Sequence, residues 1–80
     1  MKLEILTPKG MEFEQEAGEI ILPTKSGEIT ILPHHEPLIS VLQAGTMKVI
    51  ANGAELVRKE IEGGIVEVNA EKVVILLKKF

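Results

Sequence analysis

Between Ile20 and Leu42 the chain reads I-I-L-P-T-K-S-G-E-I-T-I-L-P-H-H-E-P-L-I-S-V-L. Apolar runs are cut here at close intervals by Pro23, Gly27, Pro33 and Pro37. Proline has no backbone donor and a fixed φ, so it is kept out of central strand positions. The runs between the breaks are Ile20–Leu22, Glu28–Leu32 and Leu38–Leu42, each too short for a helix of useful length. Lys25-Ser26-Gly27 is a polar turn whose glycine supplies a positive φ. The stretch therefore predicts strand, presented loop, strand, proline-bounded corner and short strand. The Thr24–Glu28 loop and the Pro33–Pro37 corner, with adjacent His34 and His35, are its two presented features.

The remaining segments carry the same two-residue period. Leu3 and Ile5 alternate with Lys2, Glu4 and Leu6, then Pro8-Lys9-Gly10 turns the chain. Met11, Phe13, Gln15 and Ala17 are expected on one face, with Glu12, Glu14 and Glu16 on a solvated opposite face. Gly18 marks a bend or bulge. Met47, Val49 and Ala51 alternate with Thr46, Lys48 and Ile50 up to Asn52-Gly53, the strongest short hairpin signal a sequence offers. A charged return strand follows from about Ala54 to Glu62. Gly63-Gly64 permits a sharp bend or a close backbone approach. Ile65–Val68 and Val73–Leu77 are apolar enough to be central strands. Short strands with turn signals every few residues predict one all-β domain over residues 1–80: a flattened two-sheet β-sandwich of short antiparallel strands.

Composition narrows what such a domain does. At 80 residues it has room for one core and hardly for a deep catalytic cavity. The net charge is −3 and the only aromatics are Phe13 and Phe80. A nucleic-acid footprint is not expected, because there is neither a concentrated basic patch nor a stacking platform. No cysteine is present, which removes disulfides, zinc thiolates and thiol nucleophiles. All twelve acids are Glu, so the usual orienting residue of a Ser-His-Asp triad is missing. No apolar run approaches the ~20 residues of a membrane span, so membrane contact is expected only through a partner.

His34-His35-Glu36 is the one cluster with metal-ligand chemistry, but neighbours on extended backbone diverge and no further histidine exists. A surface corner histidine is the plainer reading. Ser26 and Ser40 lack a nucleophile-elbow context, and no Lys-Ser/Thr follows Gly63-Gly64 to make a phosphate loop. No catalytic, cofactor-binding or metal residue is assigned. A binding module is favoured over an enzyme, with its rigid corner suited to binding at low entropic cost.

Taken in order, the motifs resemble a known family. Leu22, Gly27-Glu28, Ile31-Leu32-Pro33, His35, Pro37-Leu38, Gly45, Lys48 and Gly63-Gly64-Ile65-Val66-Glu67-Val68 match the epsilon subunit of rotary F-type ATP synthases, as does the opening with Thr7-Pro8. The resemblance runs through essentially all 80 residues. It implies a β-sandwich at the foot of the central stalk, a non-catalytic rotor subunit between the gamma subunit and the membrane c-ring. It implies c-ring contacts at Lys25, Ser26, Gly27 and Glu28. It implies gamma contacts at Thr7, Pro8, His35, Pro37, Leu38 and Ser40. The implied location is peripheral, on the cytoplasmic side of a bacterial inner membrane. A free-standing adaptor sandwich with another protein partner is the alternative.

Three positions depart from the family pattern. His34 stands where glycine is usual, Glu36 where a small residue is common, and Glu62 before the double glycine where serine or a similar residue is common. The family's C-terminal helical hairpin has no counterpart before Phe80, so its inhibitory extension and nucleotide binding are not expected of these residues. The chain is then either a naturally short form, toward which Met1 leans slightly, or one expressed domain of a longer protein.

Overall fold

The computed structural model describes residues 1–80 and consists of nine strands and their connections. They are β1 (Lys2–Thr7), β2 (Gly10–Glu16), β3 (Glu19–Thr24), β4 (Gly27–Ile31) and β5 (Leu38–Leu42). After these come β6 (Gly45–Ala51), β7 (Ala54–Ile61), β8 (Gly64–Val68) and β9 (Lys72–Leu77). Hydrogen bonding follows the order β2-β1-β9-β8-β5-β3-β6-β7, with β4 on the free side of β3. A single Cα pairing, Thr24 with Leu42, joins β3 to β5. That link divides the order into a first sheet, β2-β1-β9-β8-β5, and a second, β4-β3-β6-β7. Both sheets feed one aliphatic core: Leu3, Ile5, Val66 and Ile75 from the first, and Ile20, Leu22, Met47 and Val49 from the second, among others. This is the expected two-sheet sandwich.

The turns follow from their residues. Asn52 and Gly53 take φ of 52° and 75°, as a two-residue hairpin with both centres at positive φ requires. Gly27 takes φ of 109° after Lys25-Ser26. A Cβ on Gly64 would collide with the Leu76 carbonyl and stand 2.9 Å from Leu77 Cδ2, so the double glycine is there for close approach.

Several expectations are corrected. One pair, β1 with β9, runs parallel, not antiparallel. No turn dictates its direction, since nearly the whole chain lies between the two strands. Both strands lie inside the first sheet, between β2 and β8. Pro23 lies inside β3, not beyond it. The ladder partner of β3 switches there from β6, last paired at Ile21, to β5, paired at Thr24. The missing donor falls at that switch, and the Pro23 carbonyl accepts from the Gln43 amide at 3.0 Å. Met11 leaves the face expected for it. The β1–β2 register shifts after the Ile5–Phe13 pair, so that Met11 lies opposite Leu6 and Glu12 is skipped. One extra residue in a strand reverses the alternation beyond it. Met11 therefore points outward, 47% exposed.

Candidate functional site

In each strand of the first sheet, alternate side chains enter the core and the others form an outer face. The registers place Val41 beside Ile65, Ile65 beside Leu76, Leu76 beside Leu6 and Leu6 beside Met11. One row across all five strands is thus apolar. Val41, Ile65, Leu76 and Met11 are 59%, 43%, 47% and 47% exposed, and Ile39, two residues along β5, reaches 73%. By contrast, the outer residues of β6 and β7 in the second sheet include Thr46, Lys48, Arg58 and Glu60. An apolar row on one outer face only is the mark of a surface that another molecule covers.

The next outer row holds the charges. Ile39 pairs with Glu67, Glu67 with Val74, Val74 with Glu4 and Glu4 with Glu14. Glu4 is buried at 7% exposure. Its carboxylate accepts from Lys72 Nζ at 3.2 and 3.3 Å. Lys2 Nζ stands 3.4 Å from Glu4 and 3.0 Å from Glu14. Hydrogen bonding from Lys72 holds the Glu4 carboxyl below its ordinary range, against the opposing effect of burial. The pair to Glu14 raises the Lys2 ammonium above its ordinary range. Glu4 is therefore a carboxylate neutralised from within the face.

The expected site residues fall into three places. Thr7 and Pro8 end β1, where the registers also put Leu42, Gly64 and Leu77. The Thr7 hydroxyl donates to Glu12 at 2.7 Å and accepts from the Lys9 amide at 3.1 Å, fixing that turn. His35, Pro37 and Leu38 lie at the opposite end of the sheet. There a groove of about 560 Å³ separates the proline corner from the β8–β9 turn and Met1. His35 Nδ1 is 2.7 Å from the Glu36 carbonyl oxygen, and its amide donates to Leu32 at 3.2 Å. Ser40 lies on β5 opposite Val66, whose side chain is in the core, so Ser40 faces inward and is half-buried. The two groups associated with one partner thus bracket the sheet from opposite ends, with the apolar row across it.

Lys25 and Ser26 form the exposed tip of the β3–β4 hairpin, and Gly27 and Glu28 are the first two residues of β4. Buried Thr24 organises that tip: its hydroxyl donates to the Gly27 carbonyl at 2.7 Å and accepts from the Ser26 amide at 3.2 Å. No three His or Glu side chains converge at His34-His35-Glu36 or elsewhere. His34 takes a φ of 67°, a conformation that favours glycine, the residue usual at that position in the family it resembles.

The outer apolar row was not among the expected site residues. Its signal was nevertheless present. Strands apolar at every position, such as Val73–Leu77, need cover on both faces, and only one face can enter the core.

Comparisons with known proteins fit this architecture. The family described as ATP synthase, Delta/Epsilon chain, beta-sandwich domain matches residues 1–80. The ATP synthase epsilon chain of Dehalococcoides mccartyi is 40% identical over 76 residues, 95% of this chain and 54% of that protein. The ATP synthase epsilon chain of Sulfurimonas denitrificans is 37% identical over 78 residues, 98% of this chain and 60% of that protein. The chain therefore spans 54% and 60% of the length of these two relatives. A chain of the Euglena gracilis mitochondrial ATP synthase, solved as OSCP/F1/c-ring in rotational state 1, superposes with a TM-score of 0.87. Identity there is 26%, over 96% of this chain and 49% of that one. A chain of the Tetrahymena thermophila mitochondrial ATP synthase central stalk and c-ring shares the fold, with a TM-score of 0.82 at 20% identity over 96% of this chain and 62% of that one.

Proposed function

We propose that this chain, which belongs to the ATP synthase delta/epsilon chain β-sandwich family, works as a non-catalytic rotor subunit that couples the c-ring to the gamma subunit. The observation that carries the reading is the apolar row Val41–Ile65–Leu76–Leu6–Met11 on the outer face of the first sheet. A torque-transmitting joint needs a preformed surface, and a hydrogen-bonded sheet presents one without ordering costs. Five strands about 4.8 Å apart, each offering about five residues at 3.3 Å, make a face of roughly 400 Å². A specific interface of standard size takes about 800 Å² per partner. The sheet supplies about half of that, and the flanking Thr7-Pro8 turn and the His35–Leu38 corner extend it at both ends. In this reading the gamma subunit lies across the first sheet.

The Thr24–Glu28 hairpin tip presents a polar, internally hydrogen-bonded loop separate from the apolar row. It suits the polar loops of the c-ring, with Glu28 facing basic residues there. The domain contributes no catalytic group to ATP synthesis, and it meets the membrane peripherally, through the complex. In a bacterial cell that side is cytoplasmic.

The test is co-production of the chain with its cognate gamma subunit, followed by size exclusion and native mass spectrometry. A stable one-to-one complex is expected. A folded all-β chain that elutes alone overturns the rotor reading in favour of an adaptor with another partner.

A further inference from the structure

Resting on the reading that the gamma subunit covers the outer face of the first sheet, we propose that Glu67 selects and orients that partner by accepting an arginine or lysine from it. Two carboxylates stand in the middle strands of this face, Glu4 on β1 and Glu67 on β8. They share one cross-strand row, with Val74 between them. Their surroundings differ. Glu4 carries its own cations, Lys72 at 3.2 Å and Lys2 at 3.4 Å. Glu67 forms neither an ion pair nor a side-chain hydrogen bond, whereas Glu4, Glu14 and Glu16 each have a cationic partner. Its cross-strand neighbours are Ile39 and Val74, and Ile65 lies two residues away on the same face of β8. It is exposed while the face is open.

Covering the face changes the two groups differently. Glu4 is already buried and keeps its own cations under the cover, so its charge needs no donor from the partner. Glu67 loses its water and stays charged only if a donor arrives with the cover. An unpaired carboxylate in an apolar interface is strongly unfavourable, and a hydrogen-bonded guanidinium or ammonium removes that penalty. The partner segment over Val41, Ile65 and Leu76 is therefore apolar with one cation set to reach across toward Ile39. A surface lacking that cation is rejected, which is how a lone charge in an apolar patch confers specificity. The same cation fixes the angle at which the segment crosses the strands.

The experiment measures affinity of the full chain for its cognate gamma subunit across a range of salt concentrations. The variants are Glu67→Gln, Glu67→Lys, Leu76→Glu and Glu19→Gln, each checked for β-sheet circular dichroism and melting temperature. Glu19 lies on β3, in the second sheet, and controls for loss of one negative charge. Glu67→Gln is expected to weaken binding by about tenfold or more, chiefly through faster dissociation and at every salt concentration, as truncating one partner of a desolvated charge pair does. Glu67→Lys is expected to weaken it further, and Glu19→Gln to leave it unchanged. If Glu67→Gln binds within about twofold of the parent while Leu76→Glu abolishes binding, the role of Glu67 is overturned and the docking face stands. If Leu76→Glu binds like the parent, the docking face is wrong and the role of Glu67 falls with it.

Discussion

Lys72 Nζ lies 3.2 Å from one carboxylate oxygen of Glu4 and 3.3 Å from the other, across the one parallel strand pair of the fold. The side chain of Glu4 is 10% exposed and that of Lys72 is 38% exposed, so the acid is the buried member. The lysine covers an acid that would otherwise be a partly desolvated charge beside Val74. The pair also joins segments from the two ends of the chain.

This relationship has a pH signature. The Glu4 carboxyl is held below its ordinary value of 4.5, chiefly by Lys72. A carboxyl depressed in the folded state contributes stability above its unfolded value and loses it as pH falls through its folded value. Stability of the parent chain is thus expected to drop below about pH 4.5. Lys72→Met removes the main cause of the depression and leaves burial opposed only by Lys2. The variant is expected to be less stable than the parent at pH 7, with the gap narrowing at pH 3. Urea unfolding at both values checks this, and a gap constant with pH counts against it.

Gly64 and Gly27 separate two reasons for glycine. Gly27 needs its φ of 109° but has open space where a Cβ would stand. Gly64 faces the Leu76 carbonyl on β9, a backbone atom that cannot move aside. Gly27→Ala is expected to lose about 1–2 kcal/mol, the cost of a left-handed alanine. Gly64→Ala is expected to lose more, above about 3 kcal/mol, because strand pairing must open as well. Chemical denaturation of both variants decides the order.

His34 carries the opposite expectation. It holds φ at 67° with an exposed side chain. His34→Gly relieves a left-handed conformation but loosens the unfolded chain, two effects of similar size. A net gain of up to about 1 kcal/mol is expected, read as a higher melting temperature. A fall in melting temperature would mean that the imidazole makes a contact worth more than the strain.

Glu28 tests the other proposed surface. It is exposed beside the hairpin tip, so Glu28→Lys is expected to change folding stability by no more than about 0.5 kcal/mol. Assembly with the c-ring is expected to weaken, while the complex with gamma forms normally. Pull-down of each partner separately distinguishes the two surfaces, and normal c-ring assembly with the lysine variant removes Glu28 from that contact.

Some of this architecture is decided by forces that act within a few residues. Asn52-Gly53 turns because both residues tolerate positive φ, and Gly27 ends its turn for the same reason. Leu3, Ile5, Met47 and Val49 are buried because their period is two and their neighbours are polar or outward. Strand count, sheet class and the presented hairpin are legible at this range, and so was the resemblance carried by the ordered motifs. What escapes is everything set by register between distant strands. Nothing near Glu4 reveals that Lys72 will cover it, since β1 and β9 are brought together by core burial alone. The bulge that turns Met11 outward shows only in the pairing with β1, where Glu12 is skipped. Pro23 is tolerated inside β3 because its partner strand changes there. The apolar row exists only because the ladders align Val41, Ile65, Leu76, Leu6 and Met11 across five strands. Local backbone preference decides where strands begin and end. The facing of sheets and the alignment of side chains across them are decided by burial of the whole core, which no single segment encodes.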